Sequence, residues 1–296
     1  MCISKYAGIF PALLTPFKQN GEIDEKALEK LIEMNLRRGV KGFYVNGSSG
    51  EAFLMTVEER MLVLQLCADI VGGRATMVAQ IGDVSEDKAI RMAAFAKGCG
   101  YDAVSAVTPF YYNFTFDNIK DYYRNIANAS GLPVMVYYIP SRSGVTFTVE
   151  QALELMDPDY VVGIKFSSTD LFTLERIKAA YPQKPVMFGV DEMLTAGLAA
   201  GADGAIGSTY NFMPEKAVAI LNAVTTGNLG EARRLQAEMN TVISCLFKTG
   251  VLEGSKELLS LMGLDVGCCR RPFGNVSEES LAMLRAKALP LLTPVK

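Results

Sequence analysis

Short apolar runs recur along this chain, with helix-coding stretches between them. They occupy residues 9–14, 42–45, 76–81, 103–107, 134–138, 161–164, 186–188 and 205–206. Their starts are roughly 18 to 35 residues apart, the spacing of a strand followed by a helix. The runs are continuous rather than alternating, as parallel strands require when both faces are covered. The intervening stretches carry helix punctuation. Asp24 and Glu25 open a segment that closes on Arg37-Arg38-Gly39, with acids at its start and bases in its last turn. Thr56 with Glu59 and Thr148 with Gln151 have capping-box spacing, and Ser85 precedes a helix ending near Lys97-Gly98.

Eight such repeats predict an α/β fold, a (β/α)8 TIM barrel with a C-terminal helical extension. The predicted division is a barrel over 1–229 and the extension over 230–296, with helices near 231–247, 254–262 and 277–289. A doubly wound sheet is the alternative, but no G-x-G-x-x-G follows the first run.

Composition narrows the chemistry. None of the 296 residues is histidine. This excludes a Ser-His-Asp triad, a Cys-His pair and His-ligated zinc or haem, so no metal site is expected. Proton transfer falls to Lys, Tyr, carboxylates, Cys or water. A net charge of −3 gives no basic face for nucleic acid and no polybasic membrane anchor. The six cysteines (Cys2, Cys67, Cys99, Cys245, Cys268 and Cys269) lack CxxC spacing and read as reduced thiols. The opening residues lack the apolar core of a signal peptide, and no run is long enough to span a bilayer. The expected location is cytoplasmic.

In a TIM barrel the site lies at the C-terminal ends of the strands. Lys165 follows the apolar run 161–164. Burial there favours the neutral amine, the nucleophile that forms an imine with a ketone; the plainer reading is a snorkelling or ion-paired lysine. Tyr137 and Tyr138 finish the preceding run, and strand alternation lets only one face inward. An inward phenol offers a proton shuttle; packing alone is the other reading. Ser48 and Ser49, within Gly47-Ser48-Ser49-Gly50-Glu51, bring hydroxyls and backbone N–H groups suited to a carboxylate or phosphate. Asp191 and Glu192 follow the seventh run. They read either as a helix cap or dipole partners, or as acceptors for a polyhydroxylated ligand.

Taken in order, Gly47-Ser48-Ser49-Gly50-Glu51, Tyr137-Tyr138-Ile139-Pro140, Gly163-Ile164-Lys165, Gly189-Val190-Asp191-Glu192 and Gly204-Ala205-Ile206-Gly207-Ser208 resemble the pyruvate-dependent class I aldolases. That family contains sialic acid lyases and dihydrodipicolinate synthases. Pro109-Phe110-Tyr111-Tyr112 and the run from Gly201 to Asn211 resemble its lyase branch. The resemblance implies reversible cleavage of N-acetylneuraminate to N-acetylmannosamine and pyruvate. It implies no cofactor beyond the covalent Schiff base of pyruvate on Lys165, with Tyr137 as the proton-transfer residue. Ser48 and Ser49 are implied to hold the pyruvate carboxylate. Ser167 stands where lyases carry a threonine near the reacting oxygen. Gly189, Asp191, Glu192 and Ser208 are implied to contact the polyol. The partners implied are small keto acids and sugars within a homotetramer, Tyr111 reaching a neighbouring subunit. Ser141-Arg142-Ser143-Gly144 is similar instead to the synthases, whose arginine holds the carboxylate of an aldehyde substrate. A dihydrodipicolinate synthase or a 2-keto-3-deoxy sugar acid aldolase is therefore the alternative activity.

Overall fold

A computed structural model describes residues 5–295; Cys2 and most of the opening segment read for a signal peptide lie outside the described residues. Eight parallel strands form one sheet: β1 Gly8–Pro11, β2 Gly42–Val45, β3 Thr76–Gln80, β4 Ala103–Val107, β5 Val134–Tyr138, β6 Val161–Phe166, β7 Val186–Phe188 and β8 Gly204–Gly207. Each strand pairs with its sequence neighbour, and β1 pairs with β8. A bridge between Ala12 and Tyr44, with Leu13 N–H donating to the Tyr44 carbonyl at 2.9 Å, completes the ring.

The helices that return the chain between strands are α1 Glu25–Arg37, α2 Val57–Val71, α3 Glu86–Gly98, α4 Phe116–Ser130, the single turn α5 Pro140–Ser143 with α6 Val149–Met156, α7 Leu171–Ala180 and α8 Leu194–Ala199. After β8 come α9 Pro214–Thr225, α10 Leu229–Thr249, α11 Val251–Leu261 and α12 Glu278–Met283. The division read at residue 230 falls in the first turn of α10. The helix read from Gly254 begins three residues earlier, at Val251, directly after Gly250. No helix among the described residues is long and apolar enough to cross a membrane.

Local signals and structure agree where the bonds are local. Asp24 accepts from Ala27 N–H, and both expected capping boxes form. Ser85 is the exception. It occupies the N-cap of α3 but its hydroxyl accepts no capping bond; its own N–H donates to Asp83 Oδ1 at 3.1 Å.

The apolar residues divide into two layers, which is why the strands read as unbroken runs. Phe10, Tyr44, Val78, Met135, Tyr137, Met187 and Ile206 fill the barrel interior. Val45, Val104, Val136, Tyr138, Phe166 and Phe188 face the helices. Pairing between β5 and β6 shifts register between Val134 and Met135, where Val162 is the extra residue. The bulge changes the phase of β6. Val161 faces the helices and Val162 the interior, yet Ile164 and Phe166 again face the helices. Without the bulge, strict alternation from Val161 through Val162 would turn Lys165 outward. With it, Lys165 stands beside Tyr137, inside the barrel.

Candidate active site

Lys165 is the fifth residue of the six-residue β6, so the strand continues through it rather than ending at Ile164 as the apolar run suggested. It is 3% exposed. Burial holds its amine below the ordinary lysine value, while the neighbouring Tyr137 phenol and then the Asp191 carboxylate pull the other way. Its Nζ lies 3.9 Å from the centroid of the Tyr44 ring and 4.0 Å from that of Tyr137. Tyr137 is the inward member of its pair. Tyr138 lies in the helix-side layer, stacked on Phe147 with centroids 5.2 Å apart.

The nitrogen faces a cavity of about 170 Å³ at the C-terminal ends of the strands. Ser48 and Ser49 line one side, from the turn after β2, and Ser49 Oγ is hydrogen-bonded to Ser208 Oγ at 2.6 Å. The opposite side carries Ser167, Gly189, Asp191 and Glu192, with Arg142 from α5 at the rim. Of the residues singled out in the sequence, Tyr138 and Tyr111 lie outside this lining. Tyr111 is 86% exposed on the loop after β4, with φ of 76°, its ring edge-on to Tyr112 with centroids 5.0 Å apart.

The acidic turn is not a helix cap. Val190 is the N-cap of the 3-10 turn at Asp191–Met193, and no side chain caps it. Asp191 Oδ2 instead accepts from Thr209 N–H at 2.9 Å and from Thr209 Oγ1 at 2.7 Å, joining the loops after β7 and β8. Burial raises its carboxyl pKa, and those two bonds oppose the rise. Two glycines permit this closeness. A Cβ on Gly207 would stand 2.0 Å from Asp191 Oδ1, and one on Gly189 2.1 Å from Ser167 Oγ. Any side chain would push these polar groups out of place.

The turn after β2 is fixed from beneath. Glu51 is in the left-handed region at φ 57° and closes the 3-10 turn Ser48–Gly50. Its Oε1 is 2.7 Å from Lys256 Nζ on α11, and both side chains are almost fully buried. Its Oε2 accepts from Arg270 N–H at 2.7 Å. Two stretches far apart in sequence therefore hold the serine turn against the C-terminal extension.

That extension also supplies a wall the sequence reading missed. Ile243, Leu246 and Phe247 of α10 and Val251 and Leu252 of α11 line the cavity. Gln236 and Asn240, four apart on α10, donate to the backbone carbonyls of Asp191 and Glu192 at 3.0 and 3.1 Å. Two amides on one helix face at that spacing were the available signal. Among the described residues no group of three or more Cys, Asp or Glu side chains is arranged to hold a metal ion, and Cys67, Cys99, Cys245, Cys268 and Cys269 are free thiols.

The arrangement offers a desolvated amine as nucleophile, hydroxyls on one side for an anion, and acids with a further hydroxyl on the other for a polyol. Known proteins similar to this chain in sequence and fold are consistent with it. The N-acetylneuraminate lyase of Rhizobium meliloti (strain 1021) is 45% identical over 288 residues, 97% of this chain and 96% of its own length. The crystal structure of N-acetylneuraminate lyase from Fusobacterium nucleatum complexed with pyruvate superposes with a TM-score of 0.90 at 35% identity, covering 94% of this chain and 95% of that one. A catalytic lysine mutant of the Ruminococcus gnavus sialic acid aldolase gives a TM-score of 0.94 at 29% identity, covering 98% and 97%. The profile of the dihydrodipicolinate synthetase family matches residues 5–289, and with these relatives it shows that the chain belongs to that family.

Proposed function

We propose that this protein is a Schiff-base aldolase that reversibly cleaves N-acetylneuraminate to N-acetylmannosamine and pyruvate. The observation that carries the reading is the buried Lys165 amine facing a cavity with serines on one side and acids on the other. Relatives named for this activity at 44 to 45% identity over nearly the whole chain support it.

The reaction begins when neutral Lys165 Nζ attacks the C2 ketone of the open-chain sugar acid. Loss of water from the carbinolamine leaves a protonated imine, an electron sink one bond from C3. Removal of the C4 hydroxyl proton breaks the C3–C4 bond, releasing the aldehyde of N-acetylmannosamine and leaving the enamine of pyruvate. Tyr137 relays that proton. Protonation of the enamine at C3 and hydrolysis of the imine release pyruvate and restore Lys165. The covalent route divides one difficult cleavage into smaller steps and uses no external cofactor. Ser48 and Ser49 hold the carboxylate before reaction, so orientation is fixed in advance. Ser167 stands near the reacting oxygen. Gly189, Asp191, Glu192 and Ser208 meet the polyol, and a substrate lacking those hydroxyls leaves buried polar groups unpaired.

The same reading makes the enzyme a cytoplasmic homotetramer, in which exposed Tyr111 enters a neighbouring subunit's site. We also propose that the barrel ends at residue 229 and that 230–296 is an extension completing the cavity wall.

Arg142 favours a second reading, condensation of pyruvate with an aldehyde that carries its own carboxylate. Assays on one enzyme preparation separate the two. The lyase reading predicts that cleavage of N-acetylneuraminate outruns condensation of aspartate semialdehyde with pyruvate. It further predicts that Arg142→Leu spares the cleavage. The reverse ranking, with condensation lost in the variant, overturns it.

A further inference from the structure

We propose that the ring face of Tyr44 is a catalytic element, lying against the reacting nitrogen of Lys165 and stabilising the positive charge of the protonated imine. This rests on the Schiff-base reading of Lys165.

Tyr44 sits near the end of β2, and its ring meets the amine on a second side, beside Tyr137. The two rings are nearly perpendicular, at 80° with centroids 5.7 Å apart, and Lys165 Nζ is about 4 Å from each. Tyr44 is fully buried. Its hydroxyl is hydrogen-bonded to Ser105 Oγ at 2.9 Å, which directs the polar end toward β4. Lys165 enters no ion pair among the described residues. A cation on this nitrogen therefore has little water around it and no protein carboxylate in ion-pair contact, Asp191 acting on it only from farther off.

Such a nitrogen carries opposite needs at successive steps. It must be neutral to attack the ketone, which burial favours. Once water has left, the same atom bears the positive charge of the iminium. An aromatic face attracts a cation through its quadrupole, most strongly when the pair is desolvated. Unlike a carboxylate, it holds no full charge that would trap the lysine as an ammonium ion. Burial also pushes the Tyr44 phenol well above its ordinary value. The hydroxyl thus stays protonated, and the face rather than a phenolate acts on the charge.

The test is borohydride trapping of pyruvate across pH in the full-length protein. Tyr44→Phe keeps the face and loses the Ser105 bond, so it should retain the parent's rate and pH midpoint. Tyr44→Leu removes the face, so trapping should fall about tenfold or more. Its midpoint should move about one unit to lower pH, because the ammonium ion loses stabilisation along with the iminium. Pentafluorophenylalanine at position 44 keeps the volume of a ring but reverses its quadrupole, and should behave like leucine even if the leucine variant folds poorly. The proposal is overturned if the fluorinated variant traps as the parent does, if Phe is as impaired as Leu, or if the midpoint stays or rises in the leucine variant. Failure of the parent itself to trap pyruvate would instead remove the Schiff-base reading beneath it.

Discussion

Lys256→Met breaks the buried ion pair under the serine turn and should be among the most damaging single changes in the molecule. Lys256 Nζ is 2.7 Å from Glu51 Oε1, with side-chain exposures of 2% and 0%. It also donates to the Cys268 carbonyl at 3.0 Å and stands 4.6 Å from the Phe17 ring centroid. Methionine retains most of the apolar stem, so the loss isolates the charge. Glu51 would keep Arg270 N–H but no cation, and removing one partner of a buried pair costs about 3 to 5 kcal/mol. At about 1.4 kcal/mol per factor of ten, that is more than a hundredfold in the folding equilibrium. Equilibrium urea unfolding at one fixed protein concentration reads it, because oligomerisation shifts apparent stability. The double variant Glu51→Gln/Lys256→Met removes the stranded charge and should recover much of the loss. A cost below about 1 kcal/mol, the range of exposed pairs, would refute this account of the turn. So would a double variant that loses the sum of its single costs.

Two further predictions address the cavity. The Lys165 amine titrates below the ordinary value of 10.5 in the folded chain, so the unfolded chain binds its proton more tightly. Its contribution to stability is therefore full above 10.5 and is lost as pH falls through the folded-state value. Lys165→Met should melt higher than the parent at pH 7, with the gap closing toward pH 10.5, in paired thermal melts; an equal or lower melting temperature at pH 7 contradicts burial as the dominant cause. Asp191→Asn keeps an oxygen for the two Thr209 donors and removes the charge. Steady-state kinetics should show KM for the sugar acid up about tenfold or more, with pyruvate trapping unchanged; lost trapping would place Asp191 in the imine chemistry instead.

Much of the architecture was legible because the helix layer and the packed interior both demand apolar side chains. Strands such as Val134–Tyr138 and Val186–Phe188 therefore stand out as uninterrupted runs at their observed limits. β6 was cut short because a lysine interrupts the apolar run. The bulge at Val162 left no signal, although it determines which way Lys165 points. Ser85 and the acidic turn show the limit of local capping rules. The Ser85 hydroxyl makes no cap, and Asp191 is claimed by Thr209, eighteen residues on and across a loop. Tyr44 does not stand out within the run 42–45, because an aromatic in mid-strand usually is core. Its place beside Lys165 depends on closing the ring of strands. Ile243 and Phe247 were hidden likewise, since the fold of α10 over the barrel mouth decides that they face the cavity.

The central claim is a covalent imine on one lysine, and borohydride reduction in the presence of pyruvate tests it most directly. Peptide mass analysis should find a single three-carbon adduct on Lys165, absent without pyruvate and absent from Lys165→Met. An adduct on another lysine, or none at all while N-acetylneuraminate is still cleaved, would contradict it.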